Sequence, residues 1–67
     1  MTLRQARERT GLSVSEAARR LKVTRGAVSQ WELGLSMPSV ERVGRLAELY
    51  GCTAGEIVEG LLKEVKR

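Results

Sequence analysis

Apolar residues recur along this chain at helical spacing, and capping residues divide them into five short segments. No stretch alternates apolar and polar residues for long enough to make a strand, and glycines interrupt most candidates. Thr2, with Gln5 three residues on as its capping-box partner, predicts a helix over 3–10 that Gly11 ends. Ser13 and Glu16 repeat the box and open a second helix, which runs to about Leu21. Thr24 caps a third, ending near Leu33 where Gly34 stops it. Pro38-Ser39 opens a fourth that ends at Gly51, and Thr53 with Glu56 opens a fifth towards the C-terminus.

The apolar positions assign inward faces to these segments. They are Leu3 and Ala6; Ala17, Ala18 and Leu21; Val28 and Trp31; Val40, Val43, Leu46, Ala47 and Tyr50; and Ile57, Val58 and Leu61. The small pair Ala17 and Ala18 predicts a close approach of the second and third helices, with Val23 turned into the core between them. The connections are a few residues each, and the expected fold is all-α: a compact five-helix domain spanning residues 1–67.

Composition narrows the chemistry. With 67 residues and no Phe, the core must be built from Leu, Val, Ile and Ala around one Trp and one Tyr. The chain lacks His and Asp, and its lone Cys52 has no evident base partner, so no nucleophile–base constellation and no metal-ligand set is expected. Neither a cofactor site nor an enzyme is expected on this inventory. One cysteine permits no internal disulfide and fits a reducing cytoplasm. No apolar run approaches a membrane span, and the charges of Arg4, Arg7, Glu8 and Arg9 leave no signal-peptide core, so no membrane partner is expected.

Net charge is +4, unevenly spread. Residues 1–25 hold seven basic and two acidic side chains, whereas residues 26–67 hold five basic and six acidic ones. The positive field therefore lies on the first third of the chain, where it suits a polyanion or forms an ordinary solvated basic surface.

Residues 13–34 read as two helices joined by the tight turn Leu21-Lys22-Val23-Thr24. The first turn of the second of these helices departs from local preference. Arg25 stands where the helix dipole favours an acid, and Gly26 follows it, a poor helix former. Such departures tend to fall at functional positions. In a major groove, Arg25 can pair with guanine O6 and N7, Gly26 permits close approach, Ala27 can meet a thymine methyl, and Gln30 can pair with adenine. Ser29 shares this outward face and can reach a base or a phosphate. The plainer alternative is that these are exposed polar residues.

The combination of GLSxxxxA from Gly11, WExG from Trp31 and the Pro38-Ser39 pair resembles the lambda-repressor-like helix-turn-helix proteins, the Cro-type or XRE family. The resemblance covers Leu3 to Val58. It implies a DNA-binding regulator of bacterial or phage origin, cytoplasmic, acting on double-stranded DNA without a cofactor. Val14–Leu21 then correspond to the supporting helix and Arg25–Leu33 to the helix laid in the groove. Phosphate contacts are expected from Arg7, Ser13, Ser15, Arg19, Lys22 and Thr24. Further basic helpers are Arg4, Arg9, Arg20, Arg42 and Arg45. The resemblance also implies a structural ion pair between Arg7 and Glu32.

Two single positions and one loop depart from the family pattern. Lys22 replaces a usual glycine at a turn that often needs a left-handed backbone. Val14 replaces a frequent glutamine that contacts phosphate and braces the reading helix. Leu33, Leu35 and Met37 occupy a loop that usually carries basic residues; they either pack beneath Trp31 or expose an apolar patch to a protein partner.

Family members mostly bind palindromic sites as dimers, with half-sites roughly 34 Å apart. A homodimer is expected here through residues 53–66, where Val58, Leu61, Leu62 and Val65 form an apolar stripe, unless Leu61 and Leu62 only close the core. The rival to a DNA-binding repressor is a protein-binding helix-turn-helix module, such as an antitoxin or a partner-recruiting subunit.

Overall fold

A computed structural model describes residues 1–65, and within them five helices and no strand. They are α1 (Leu3–Arg9), α2 (Val14–Leu21), α3 (Arg25–Leu33), α4 (Val40–Tyr50) and α5 (Ala54–Glu64). Lys66 and Arg67, the basic end expected for the fifth helix and for the segment 53–66, lie outside the described residues.

Each helix starts where the sequence places a cap. Thr2, Ser13, Thr24, Ser39 and Thr53 all hold extended backbone, and each side-chain oxygen accepts from the amide three residues on. At Thr2, Ser13 and Thr53 the cap's own backbone N–H donates back to the side-chain oxygen of Gln5, Glu16 or Glu56 and completes the capping box. Three helices also end alike. After α2, α3 and α4 the chain turns through a left-handed residue, Lys22, Gly34 or Gly51. The following amide then reaches back to the last turn: Val23 N–H to Ala18 O (3.0 Å), Leu35 N–H to Gln30 O (2.9 Å) and Cys52 N–H to Ala47 O (3.0 Å). This is the Schellman closure, which satisfies carbonyls the helix leaves open.

The core is Leu3, Ala6, Ala17, Ala18, Leu21, Val28, Trp31, Leu46, Ala47, Tyr50, Ile57 and Leu61, with Val23, Val43 and Cys52 packed at its edge. Helix α2 lies against α3 and α4 against α5, while α1 touches α3, α4 and α5. Ala17 and Ala18 are fully buried, as a close α2–α3 contact requires.

Two expected inward positions are corrected, and the alternative left open for the loop after α3 is resolved. Val40 is 90% exposed, because the first turn of α4 overhangs the core and burial rises along the helix only from Val43 to Leu46. Val58 is exposed, since Ile57, Gly60 and Leu61 fill the inner face of α5 and Val58 sits to one side. Leu33, Leu35 and Met37 do not pack beneath Trp31; all three stand at least half exposed.

Two glycines set backbone contacts that the hydrophobic pattern does not reveal. A Cβ on Gly34 would meet the Glu64 carbonyl oxygen at 1.7 Å, so the end of α3 abuts the end of α5. A Cβ on Gly60 would meet Met1 O at 2.9 Å, which is how the N-terminal segment lies flat on α5.

Candidate functional site

The turn between α2 and α3 fixes how α3 is presented. Lys22 sits at φ 59 and ψ 44, the one non-glycine residue with positive φ among the described residues. An L side chain in this region costs about 1 kcal/mol relative to glycine. In return the turn carries an exposed ammonium beside the N-terminus of α3. Thr24 Oγ1 accepts from the Ala27 amide at 3.1 Å and caps that terminus.

Helix α3 has two unlike faces. Val28 and Trp31 are buried beneath it. Arg25, Gly26 and Gln30 are exposed on the outside, and Ala27 and Ser29 are half-buried at its margins. The five expected base-reading residues are thus on one short helix, with the guanidinium at its first turn. Ser13, Ser15, Arg19, Lys22 and Thr24 are all exposed as well. The Ser13 and Thr24 oxygens are engaged as caps, and the Ser13 hydroxyl also bonds the Glu16 carboxylate, whereas the Thr24 hydroxyl can still donate to an anion.

Arg7 is corrected as a phosphate-binding residue. It is 8% exposed, and its guanidinium is consumed internally. Its Nε donates to Glu32 Oε2 at 2.7 Å, one terminal nitrogen donates to Glu32 Oε1 at 3.2 Å, and the other donates to the Leu12 carbonyl at 2.9 Å. The hydrogen bond to Glu32 raises the Arg7 pKa still further, against the opposing effect of burial. The ion pair between Arg7 and Glu32 is therefore present. It ties α1, the loop before α2 and the inner side of α3 into one unit.

Tyr50 lies close enough to this pair to feel it. Burial, and secondarily the Glu32 charge, push its phenol up to about 12. Its hydroxyl is buried with no hydrogen-bond partner among the described residues.

Two depressions flank α3. One, of about 450 Å³, is lined by Lys22, Thr24, Ala27, Met37, Ser39 and Arg42 among others, so Arg42 stands with Lys22 beside the start of α3. The other, of about 470 Å³, lies between Arg4, Val14, Ser29, Glu32, Leu33 and Glu64. The short side chain of Val14 lines this second depression, beside α3 and open to solvent.

The stripe expected to hold a second copy is altered. Leu61 is 1% exposed and belongs to the core, because it shares the inner face of α5 with Ile57. Val58, Leu62 and Val65 remain outside, at 40%, 61% and 40% exposure. Sequence reasoning missed Ser36, whose hydroxyl reaches Gln30 across the turn after α3. Only the left-handed closure at Gly34, not any periodic pattern, brings the two together.

No group of three or more metal-ligating side chains occurs among the described residues, and no helix there is long and apolar enough to cross a membrane. A family model described as helix-turn-helix matches residues 3–57. No curated protein and no solved structure matches the chain.

Proposed function

The chain belongs to the helix-turn-helix family of DNA-binding regulators, with a lambda-repressor-like fold, and on that premise we propose that it acts as a dimeric repressor reading a palindromic operator. In this reading α3 lies in the major groove of double-stranded DNA in the cytoplasm. Arg25, Gly26, Ala27, Ser29 and Gln30 face base edges, and Ser13, Ser15, Arg19, Lys22 and Thr24 hold phosphates. The family is one of DNA-binding regulators, and a role other than catalysis accords with it.

The observation that carries the reading is the asymmetry of α3. Its inner face is anchored by Val28, Trp31 and the Glu32–Arg7 pair, and its outer face leaves Arg25 and Gln30 exposed, with Ser36 against the Gln30 amide. A rigid helix with an unpaired guanidinium at its leading turn suits bidentate recognition of guanine. Basic groups beside it supply the sequence-independent attraction.

One reading helix spans only a few base pairs, which favours two copies. Val58 and Leu62 are exposed one turn apart on α5, and Val65 is exposed in extended backbone just past its end, which supports self-association there. Leu62→Glu is expected to dissociate the dimer and leave the fold intact, read by sedimentation and circular dichroism.

The exposed Leu33, Leu35 and Met37 favour a second reading, a protein-binding module. Selection of duplexes from a random pool by the wild-type protein and by Arg25→Ala, at fixed salt, separates the two. A palindromic consensus in which Arg25→Ala relaxes one guanine position is expected. Weak, salt-sensitive binding without enrichment would overturn specific reading of DNA by this chain and favour the partner on the Leu33–Met37 loop.

A further inference from the structure

The end of α3 and the end of α5 meet backbone to backbone. A Cβ on Gly34 would stand 1.7 Å from the Glu64 carbonyl oxygen and 3.1 Å from the Val65 amide nitrogen, so no side chain fits between them. Leu33 and Leu35 flank that glycine, and both are more than half exposed. On the other side of the junction Val65 follows Glu64, and Leu62 and Val58 continue the exposed apolar line back along α5. Exposed apolar side chains from two elements distant in sequence therefore border one close contact. Met37 is not among them. It lines the depression with Lys22 and Thr24, towards the start of α3.

Size separates a one-helix seam from a larger one. Val58, Leu62 and Val65 alone offer roughly 200 Å² of apolar surface, against the about 800 Å² per partner that a stable interface buries, about two-thirds of it apolar in homodimers. Leu33 and Leu35 roughly double the apolar area and bring it close to that share.

Chemistry and position favour a second copy as the occupant. A two-fold contact uses the same patch on both sides, so the patch must complement itself. Five aliphatic side chains with no charge among them do so. A two-fold axis at the junction also brings the C-terminal ends of the two α3 helices together and leaves their Arg25 turns outermost. Each helix runs about 12 Å from Arg25 to Leu33, so both leading turns stay clear of the contact.

We propose that Leu33 and Leu35 join Val58, Leu62 and Val65 in one seam with a second copy of this chain, so that the dimer contact includes the end of the reading helix itself. This rests on the reading of α5 as a self-association surface and extends it across the Gly34–Glu64 junction. The seam then sets the separation of the two α3 helices directly, and the exposure of Leu33 and Leu35 calls for no foreign partner.

The test is sedimentation equilibrium of the full chain as wild type, Leu35→Glu, Leu62→Glu and Met37→Glu, with circular dichroism to follow the fold. Wild type is expected to dimerise. Leu35→Glu should raise the dimer dissociation constant by about tenfold or more, as Leu62→Glu does, and Met37→Glu, the same charge two residues on, should leave it unchanged. Should Leu35→Glu lose helicity, Leu35→Ser carries the same test with a shift of about threefold. Leu35 variants that dimerise as tightly as wild type while Leu62→Glu is monomeric overturn the inference and leave the α5 dimer standing. Equal weakening by Met37→Glu marks general charge repulsion and also overturns it. A monomeric wild type overturns the inference and the α5 dimer together, and gives the face to another protein.

Discussion

Arg7 and Glu32 stand 25 positions apart and meet through two hydrogen bonds, at 2.7 and 3.2 Å, with both side chains about nine-tenths buried. Removing one partner leaves a largely buried charge unpaired. Glu32→Ala is expected to destabilise the fold by about 3 kcal/mol, a large part of the stability of so small a domain. The double change Arg7→Met with Glu32→Leu should restore most of that loss, because it removes both charges. Urea unfolding followed by circular dichroism reads both, and a single variant as stable as wild type would show that the pair contributes nothing.

Lys22 sets stability against binding. Lys22→Gly relieves a left-handed side-chain conformation and should stabilise the fold by about 1 kcal/mol. The same change removes an exposed ammonium from the turn before α3, so binding to any duplex should weaken and its salt dependence should become shallower by about one counterion. Calorimetric unfolding and titrations at several salt concentrations give the two numbers. Equal affinity at all salt concentrations would remove Lys22 from the interface.

Gly34 and Gly11 make a matched pair. Both hold positive φ, but a Cβ meets nothing within 4 Å at Gly11 and meets the Glu64 carbonyl at 1.7 Å at Gly34. Gly11→Ala should cost only the conformational penalty, about 1 kcal/mol. Gly34→Ala carries the same penalty and an overpacking cost of about 1–3 kcal/mol more, since α5 must shift away from α3. Equal stabilities of the two variants would show that the ends of α3 and α5 do not meet in solution.

Acid should weaken the fold through the capping boxes. The bonds from the Ser13 backbone and hydroxyl hold Glu16 below its ordinary pKa of 4.5, and the equivalent bonds from Thr53 do the same for Glu56. A carboxylate whose pKa is lowered on folding contributes above its unfolded value, and that contribution is lost as pH falls through the folded one. Stability should therefore decline below about pH 4.5. Glu16→Gln with Glu56→Gln keeps both boxes without the titration, so unfolding curves at pH 7 and pH 3 should differ less than in the wild type. An unchanged difference would place the acid sensitivity elsewhere.

Much of the fold was legible because its signals are local. The caps at Thr2, Ser13, Thr24 and Thr53 each depend on a residue and its third neighbour, and α1, α2, α3 and α5 begin at them. The left-handed turn at Lys22 and the Arg7–Glu32 pair followed from the family resemblance, in one case despite a departure from its usual residue. Burial was less legible where it depends on how helices overlap. Val40 shares the face of Val43 and Leu46 yet overhangs the core, and Leu61 lies one position from the exposed Leu62. The α3–α4 turn was the least legible part. Its geometry comes from Gly34 meeting α5, and neither the exposure of Leu35 nor the contact between Ser36 and Gln30 leaves a periodic trace.

Trp31 gives the molecule a built-in optical reporter. It is the single tryptophan of the chain, 5% exposed on the inner side of α3, while Arg25 and Gln30 occupy the outer side. Its emission should move to longer wavelength when the core opens. A ligand landing on the outer face leaves its surroundings in place. The emission therefore reads the state of the core alone, in an unlabelled sample, whether or not the outer face of α3 is occupied.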